Sequence, residues 1–293
     1  MKKGVVDNSL NVNNLSVNSD IIGANEREDS YVFDLVYNNT SDVDPDYITG
    51  DMHTINKLNY ALLDAINKDF IPNYKNIQHK IGSLCCFKKP NDYSECFIKP
   101  TNGINKELII ENWDGIQHIL ASLVLQDTTQ SIIVKKLNST SGKNKLKHAL
   151  WEYNSIFMSL HMLDYIDDTE MRSNIRKTLN RIEEYHQLRR AIANVHGGKF
   201  RGLSTIEIRV RNQCARLISN CLLLYNAIIL SGLLKNCNEK QPDTKEKIKN
   251  ISPIAWFHIN MNGRYDFRRR VQKIEISEMI SILQNELNSE KQN

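Results

Sequence analysis

A chain of 293 residues, 41% apolar and 25% charged, has the balance of a soluble globular protein with a sizeable buried core. No N-terminal stretch has the basic-then-apolar pattern of a signal peptide. The longest unbroken apolar run in the most apolar segment, 221–225, is far too short to span a bilayer, so a cytoplasmic protein with no membrane partner is expected. The net charge of +4 says little, but its distribution says more: residues 172–216 hold eleven Lys or Arg against three Glu, and residues 20–51 hold nine acidic side chains against Arg27 alone. Such segments are either two solvated surfaces or a metal site beside a phosphate-binding surface.

In chain order, Leu10, Val12, Leu15 and Val17 alternate imperfectly and predict a hairpin broken near Asn13 and Asn14. Residues 29–36 read as a short helix or strand, and residues 47–51 as a strand ending in Gly50-Asp51. Ile55, Leu58, Leu62 and Ile66 recur at helical spacing and predict a helix over 53–66, which puts Asp51 at a strand-to-helix junction. A further strand is expected over 81–87. From about residue 104 the pattern is helical. Ile116, Ile119, Leu120, Leu123 and Val124 form one apolar stripe, and Leu146, Leu150, Tyr153, Phe157, Leu160 and Leu163 another. Asp167-Asp168-Thr169 is placed to supply the N-cap of a helix, or a pair of helices, running from 169 to 195 and stopped by Gly197-Gly198. A long helix over 206–234, a charged linker over 236–249, a short apolar segment over 251–259 and an amphipathic helix near 276–287 complete the chain.

Six cysteines contain no CxxC pair, and the spacing of Cys85, Cys86 and Cys96 fits no structural zinc pattern. Cys214 and Cys221, a heptad apart in an apolar helix, are expected to be buried thiols, and no disulfides are expected. No Gly-rich phosphate loop, HExxH or GxSxG occurs. His53, His186 and His196 are scattered. Asp51 reads on position alone as a helix N-cap before it reads as a functional carboxylate at a strand end. Glu183, among Arg176, Lys177, Arg181, Arg189 and Arg190, reads as a surface i, i+4 ion-pair partner or as a functional carboxylate on a basic helix.

One set of motifs separates these readings. The run Leu179-Asn-Arg-Ile-Glu-Glu-Tyr-His-Gln-Leu-Arg-Arg-Ala-Ile192 resembles the signature of the Tn-three family, the transposases of replicative (class II) transposons. So do Gly197-Gly-Lys-Phe-Arg-Gly202, Asn212-Gln-Cys-Ala-Arg-Leu-Ile218, Tyr225-Asn-Ala-Ile-Ile-Leu230 and the stretch from Ile251 to Tyr265. Upstream, the Ile21-Ile-Gly-Ala-Asn-Glu26, Tyr31-Val-Phe-Asp34 and Gly50-Asp-Met-His-Thr-Ile-Asn56 motifs follow in the same order. The likeness covers roughly residues 1 to 268.

The resemblance implies an α/β, RNase H-like catalytic core of the retroviral-integrase type, incomplete at its N-terminus, with an α-helical insertion and a helical C-terminal part. The corresponding segments are 1–100 for partial core strands and helices and 101–170 for the insertion. Residues 171–268 then hold the catalytic-Glu helix and C-terminal helices, and 269–293 form a charged tail with an amphipathic helix. It implies a DDE transposase that cleaves phosphodiesters at transposon ends and transfers strands, with Mg2+ in a two-metal site. By motif, Asp51 takes the place of the second catalytic Asp and Glu183 that of the Glu, both as metal ligands; Glu184 stands where the family has a small residue. Arg181, Arg189, Arg190, Lys199 and Arg201 are the expected DNA contacts. The implied partners are DNA (transposon ends and target), and a second copy or a full-length transposase, in a nucleoid-associated bacterial setting. The motif of the first catalytic Asp belongs upstream of 2–6, and neither Asp7 nor Asp20 sits in it. The expectation is therefore an incomplete site with little or no activity, or a DNA-binding regulatory remnant.

Overall fold

The structure, a computed structural model, describes residues 5–12, 15–140, 142–195, 197, 204–237, 242–263 and 275–289. The chain divides into two compact units, residues 1–12 with 17–179 and residues 13–16 with 180–293.

The first unit is mixed α/β and mostly helical. Strands β1 (Val5–Val12) and β2 (Leu15–Gly23) pair with each other as the alternation predicts; the expected break at Asn13 and Asn14 lies outside the described residues. The segment left open between helix and strand is helical, α1 (Val32–Tyr37), with Phe33, Leu35 and Val36 buried. Strand β3 (Tyr47–Ile48) runs parallel to β4 (Asp69–Phe70), with helix α2 (Asn59–Asp64) between them. The helix expected over 53–66 is thus narrower. Asn56 Oδ1 accepts the backbone N–H groups of Leu58 and Asn59, both at 2.8 Å, and this side-chain turn defers the first helical turn. Asn67, at φ 57°, stops the helix in the left-handed region.

The strand predicted over 81–87 contracts to β5 (Cys85–Cys86), parallel to β6 (Asn102–Gly103), because residues 81–83 close a 3-10 turn instead. Helices α3 (Lys106–Glu111), α4 (Trp113–Val124), α5 (Gln130–Ser139) and α6 (Lys145–Asp167) follow. The two apolar stripes read from the sequence lie on α4 and α6. Leu62, Leu63, Ile116, Ala149 and Leu150 are fully buried in one cluster, each large side chain contributing about 1.5–3 kcal/mol by leaving water.

A polar hub is set into this core. Gln130 and Asn59 are both fully buried. Gln130 Oε1 accepts the Phe33 N–H at 2.8 Å, while its amide donates to Asp29 O at 2.9 Å and to Asn59 Oδ1 at 2.5 Å. Asn59 donates in turn to Asp29 O and Thr54 O. The Gln130 N–H bonds both oxygens of Asp34, whose carboxyl is nonetheless pushed up because burial outweighs these bonds.

His161 on α6 is buried and stacks on Tyr74; its Nε2 donates to Pro72 O at 2.9 Å, and its Nδ1 has no hydrogen-bond partner. Burial lowers its pKa below the ordinary 6.5, opposed by the Pro72 bond and by Asp164. Because the unfolded chain then binds the proton more readily, stability is full above 6.5 and declines as pH falls through the lower folded value. Melting curves across that range should show an acid loss that is smaller in His161→Phe than in wild type. Equal losses in the two proteins would remove His161 from the account.

Helix α7 (Thr169–Asn194) is one helix rather than a pair, begun by Asp168 Oδ1 accepting the Met171 N–H at 2.8 Å; residue 180 on it begins the second unit. Gly197, at φ 67°, follows its end.

In the second unit α8 (Thr205–Asn236) starts with a reciprocal capping box: Ser204 Oγ accepts the Glu207 N–H and Glu207 Oε2 accepts the Ser204 N–H. These bonds hold the Glu207 carboxyl below its usual range. By length and composition α8 alone among the described residues would pass for a membrane span, although its buried row includes the polar Asn212, Ser219 and Asn226. That row also corrects the cysteines. Cys214 and Cys221 lie on the opposite face and are exposed, since helical spacing puts them on one line but does not say which line is covered. The expected linker holds a helix, α9 (Pro242–Lys249), whose Ile248 is buried with Ile229 and Leu233. Helix α10 (Ile276–Ser289) packs on α8 closely enough that a Cβ on Gly232 would meet Ile280 Cδ1 at 2.3 Å.

Candidate functional site

In the first unit, Asp51 stands three residues beyond β3 and is exposed. Its Oδ1 accepts the His53 N–H at 2.9 Å, capping a 3-10 turn over Met52–Thr54. Its carbonyl accepts the Thr54 hydroxyl at 2.6 Å, and the preceding Gly50 carbonyl accepts the Asn73 N–H at 2.9 Å. The capping role foreseen as the bland alternative is therefore real, and it coexists with an exposed carboxylate at the end of a parallel strand.

Gly50 is what lets this turn close. A Cβ there would lie 2.3 Å from Thr54 Oγ1 and 2.9 Å from Thr54 Cβ. Thr54 is branched and hydrogen-bonded, so it yields poorly. Gly50→Ala is expected to cost about 1–3 kcal/mol, the range for an overpacked site, with Thr54→Ala in the same chain recovering part of it. A thermal midpoint unchanged in Gly50→Ala would show that the turn has room to move.

In the second unit, Glu183 on α7 is exposed, and its Oε1 accepts from Arg190 at 2.6 Å, one heptad on. This is a surface ion pair, but at i, i+7 rather than the i, i+4 spacing expected, and in water it is worth little. Glu184 makes a different contact, accepting the Ser252 hydroxyl at 2.8 Å. Arg189 turns away from both, donating to the Asn212 carbonyl at 3.1 Å and to Asn212 Oδ1. It is thus a brace between α7 and α8, as well as a basic side chain. Arg181 is exposed on α7. Lys199, Arg201 and His196 lie outside the described residues. His53 and His186 contribute no cluster: among the described residues, no group of three or more His, Cys, Asp or Glu is gathered to hold a metal ion.

The chemistry of the donors still suits a hard divalent cation. Asp51 and Glu183 both present exposed carboxylate oxygens, and Asp51 spends one of its two on a backbone N–H. Several contacts escaped the sequence reading. The capping box had a local signal, Ser204-x-x-Glu207. The Gln130–Asn59 hub and the Arg189–Asn212 brace had none, because their partners are remote along the chain.

Comparison with known proteins matches most of the chain. The model of the Tn3 transposase DDE domain matches residues 1–265. The transposase for transposon Tn2501 of Escherichia coli is 25% identical over 248 residues, 84% of this chain and 25% of the relative. The transposase for transposon Tn1546 of Enterococcus faecium is 25% identical over 247 residues, again 84% of this chain and 25% of the relative. The transposase for transposon gamma-delta of Escherichia coli (strain K12) is 29% identical over 156 residues, 53% of this chain and 16% of the relative. The chain spans about a quarter of the length of the first two. With the match covering Asp51, Glu183 and the basic helix around it, the chain belongs to the Tn3 transposase DDE domain family, which implies an RNase H-like fold and a divalent metal.

Proposed function

We propose that this chain serves metal-dependent phosphodiester cleavage and strand transfer at transposon ends, with Asp51 and Glu183 as two of the carboxylates that hold Mg2+. The observation that carries this reading is the family match over residues 1–265, a span that includes both carboxylates. On this reading residues 101–170 form a helical insertion in an RNase H-like core. Bound by carboxylate oxygens, a magnesium pair supplies activation of a water or 3′-hydroxyl and stabilisation of the leaving oxygen.

The chain's own residues do the rest. Asp51 is oriented by the His53 N–H and the Gly50 turn. Glu183 is paired with Arg190; its carboxylate would be one of those that hold the metal, and the Arg190 guanidinium would also suit a phosphate. Arg181, Arg189, Arg190, Lys199 and Arg201 supply sequence-independent affinity that falls with salt. A second copy or a full-length transposase is the expected protein partner. The test is nicking of transposon-end DNA in Mg2+ and in EDTA.

A second reading is a DNA-binding module without catalysis, supported by the basic run of Arg176, Lys177, Arg181, Arg189 and Arg190. It predicts salt-sensitive DNA affinity that ignores Mg2+ and is untouched by substitution of Asp51 or Glu183.

A further inference from the structure

Residues 251–263 form a chain of tight turns rather than an element. The Ala255 N–H bonds Ser252 O at 3.1 Å, the Ile259 N–H bonds Trp256 O at 2.9 Å, and the Gly263 N–H bonds Asn260 O at 3.2 Å. One buried side chain of α8 clamps the segment. Asn226 donates from its amide to Pro253 O at 2.8 Å and to Ala255 O at 2.7 Å, and its Oδ1 lies 3.1 Å from His258 Nε2. A second tie reaches α7, where Ser252 bonds Glu184, the neighbour of Glu183. Below these ties Ile254 is buried with Tyr185 and Leu188 of α7, and Trp256 packs against that cluster.

On this fixed segment Phe257 does the opposite of what an apolar side chain does when it has a core to join. It is 83% exposed, and it stacks on Trp256 with ring centroids 4.5 Å apart and an interplanar angle of 21°. The result is a rigid aromatic surface facing solvent, with its backbone already ordered. On α7, helical spacing places Arg181 one turn before both Glu184 and Tyr185, the residues to which the segment is tied. An aromatic face beside a basic helix is the combination that binds unpaired nucleic acid: cations track the phosphates, and rings stack on bases without reading sequence. Preorganisation adds to this, since the turn bonds and the Asn226 clamp lower the loop entropy that binding would cost.

We propose that Phe257, backed by Trp256 and clamped by Asn226, is a stacking platform for an unpaired DNA base next to the turn of α7 that carries Glu183. The proposal rests on the DNA-processing reading above and adds to it a specific contact: a base exposed where the duplex opens or ends.

The experiment compares binding of the whole chain to a blunt duplex and to the same duplex with a single-stranded tail containing 2-aminopurine. The tailed DNA should bind about tenfold tighter, as one stacked base warrants, with quenching of the 2-aminopurine fluorescence. Phe257→Ala and Phe257→Leu should both reduce the tailed DNA to the affinity of the blunt one and abolish the quenching, whereas Phe257→Trp should keep both. Exposure of Phe257 predicts unchanged thermal midpoints in all three variants. Equal wild-type affinity for the two DNAs would overturn the platform while leaving the DNA-processing reading standing. So would a tail preference that survives in Phe257→Leu, which would make the surface a general apolar contact. No affinity for either DNA at low salt would overturn the DNA-processing reading, and the platform with it.

Discussion

Wherever this chain supports nicking of transposon-end DNA in Mg2+, Asp51→Asn and Glu183→Gln should each reduce it by about a thousandfold or more, to the level seen in EDTA. Amides are chosen because they keep the local structure. Asn at position 51 still presents an oxygen to the His53 N–H, and Gln at 183 still reaches Arg190. What they remove is the charge that holds a divalent cation. Loss of that cation forfeits several kcal/mol of transition-state stabilisation, and each 1.36 kcal/mol is a factor of ten in rate. DNA affinity in EDTA should stay the same or rise slightly in both variants, because a negative charge has left a basic region. Rates equal to wild type in either variant would remove that residue from the metal site. Binding without nicking in the wild-type chain itself would favour the DNA-binding module.

The second large effect concerns stability. Gln130→Leu, close to volume-conserving, should destabilise the first unit by about 3–5 kcal/mol. The buried amide serves the Phe33 N–H, the Asp29 carbonyl and Asn59 Oδ1. A buried group left without its partner costs about 1–3 kcal/mol. The Asp29 carbonyl keeps its bonds from Asn56 and Asn59, so two orphans dominate the sum. In a domain stable by about 5–15 kcal/mol this is a large fraction. Denaturant melts of Gln130→Leu, Asn59→Ala and the double variant should be strongly non-additive, because the two side chains share one network. Simple additivity would show that Gln130 and Asn59 act independently.

The helices with a clean 3.6-residue period were legible from the chain alone: α4, α6, α7, α8 and α10 stand close to where their apolar stripes put them. A cap within Asp167-Asp168-Thr169, the β1–β2 hairpin and a strand before Asp51, shorter than expected at Tyr47–Ile48, were legible too, since each depends on residues near one another in sequence. The motifs around Asp51 and Glu183, read in order, were enough to recognise the family. Helix α2 begins late because the Asn56 side chain occupies its first N–H groups, a local turn that the apolar periodicity does not register. Two outcomes depended on contacts that no local pattern encodes. Cys214 and Cys221 are exposed because α9, α10 and the 251–263 segment cover the other side of α8. The segment read as a charged linker contains a helix because Ile248 finds a cluster to join. Periodicity marks a face, and only the neighbouring elements decide whether that face is covered. The same holds for the polar side chains. Gln130, Arg189 and Asn226 look like ordinary surface residues in the sequence, and each becomes structural only once a partner remote along the chain is brought within hydrogen-bond reach.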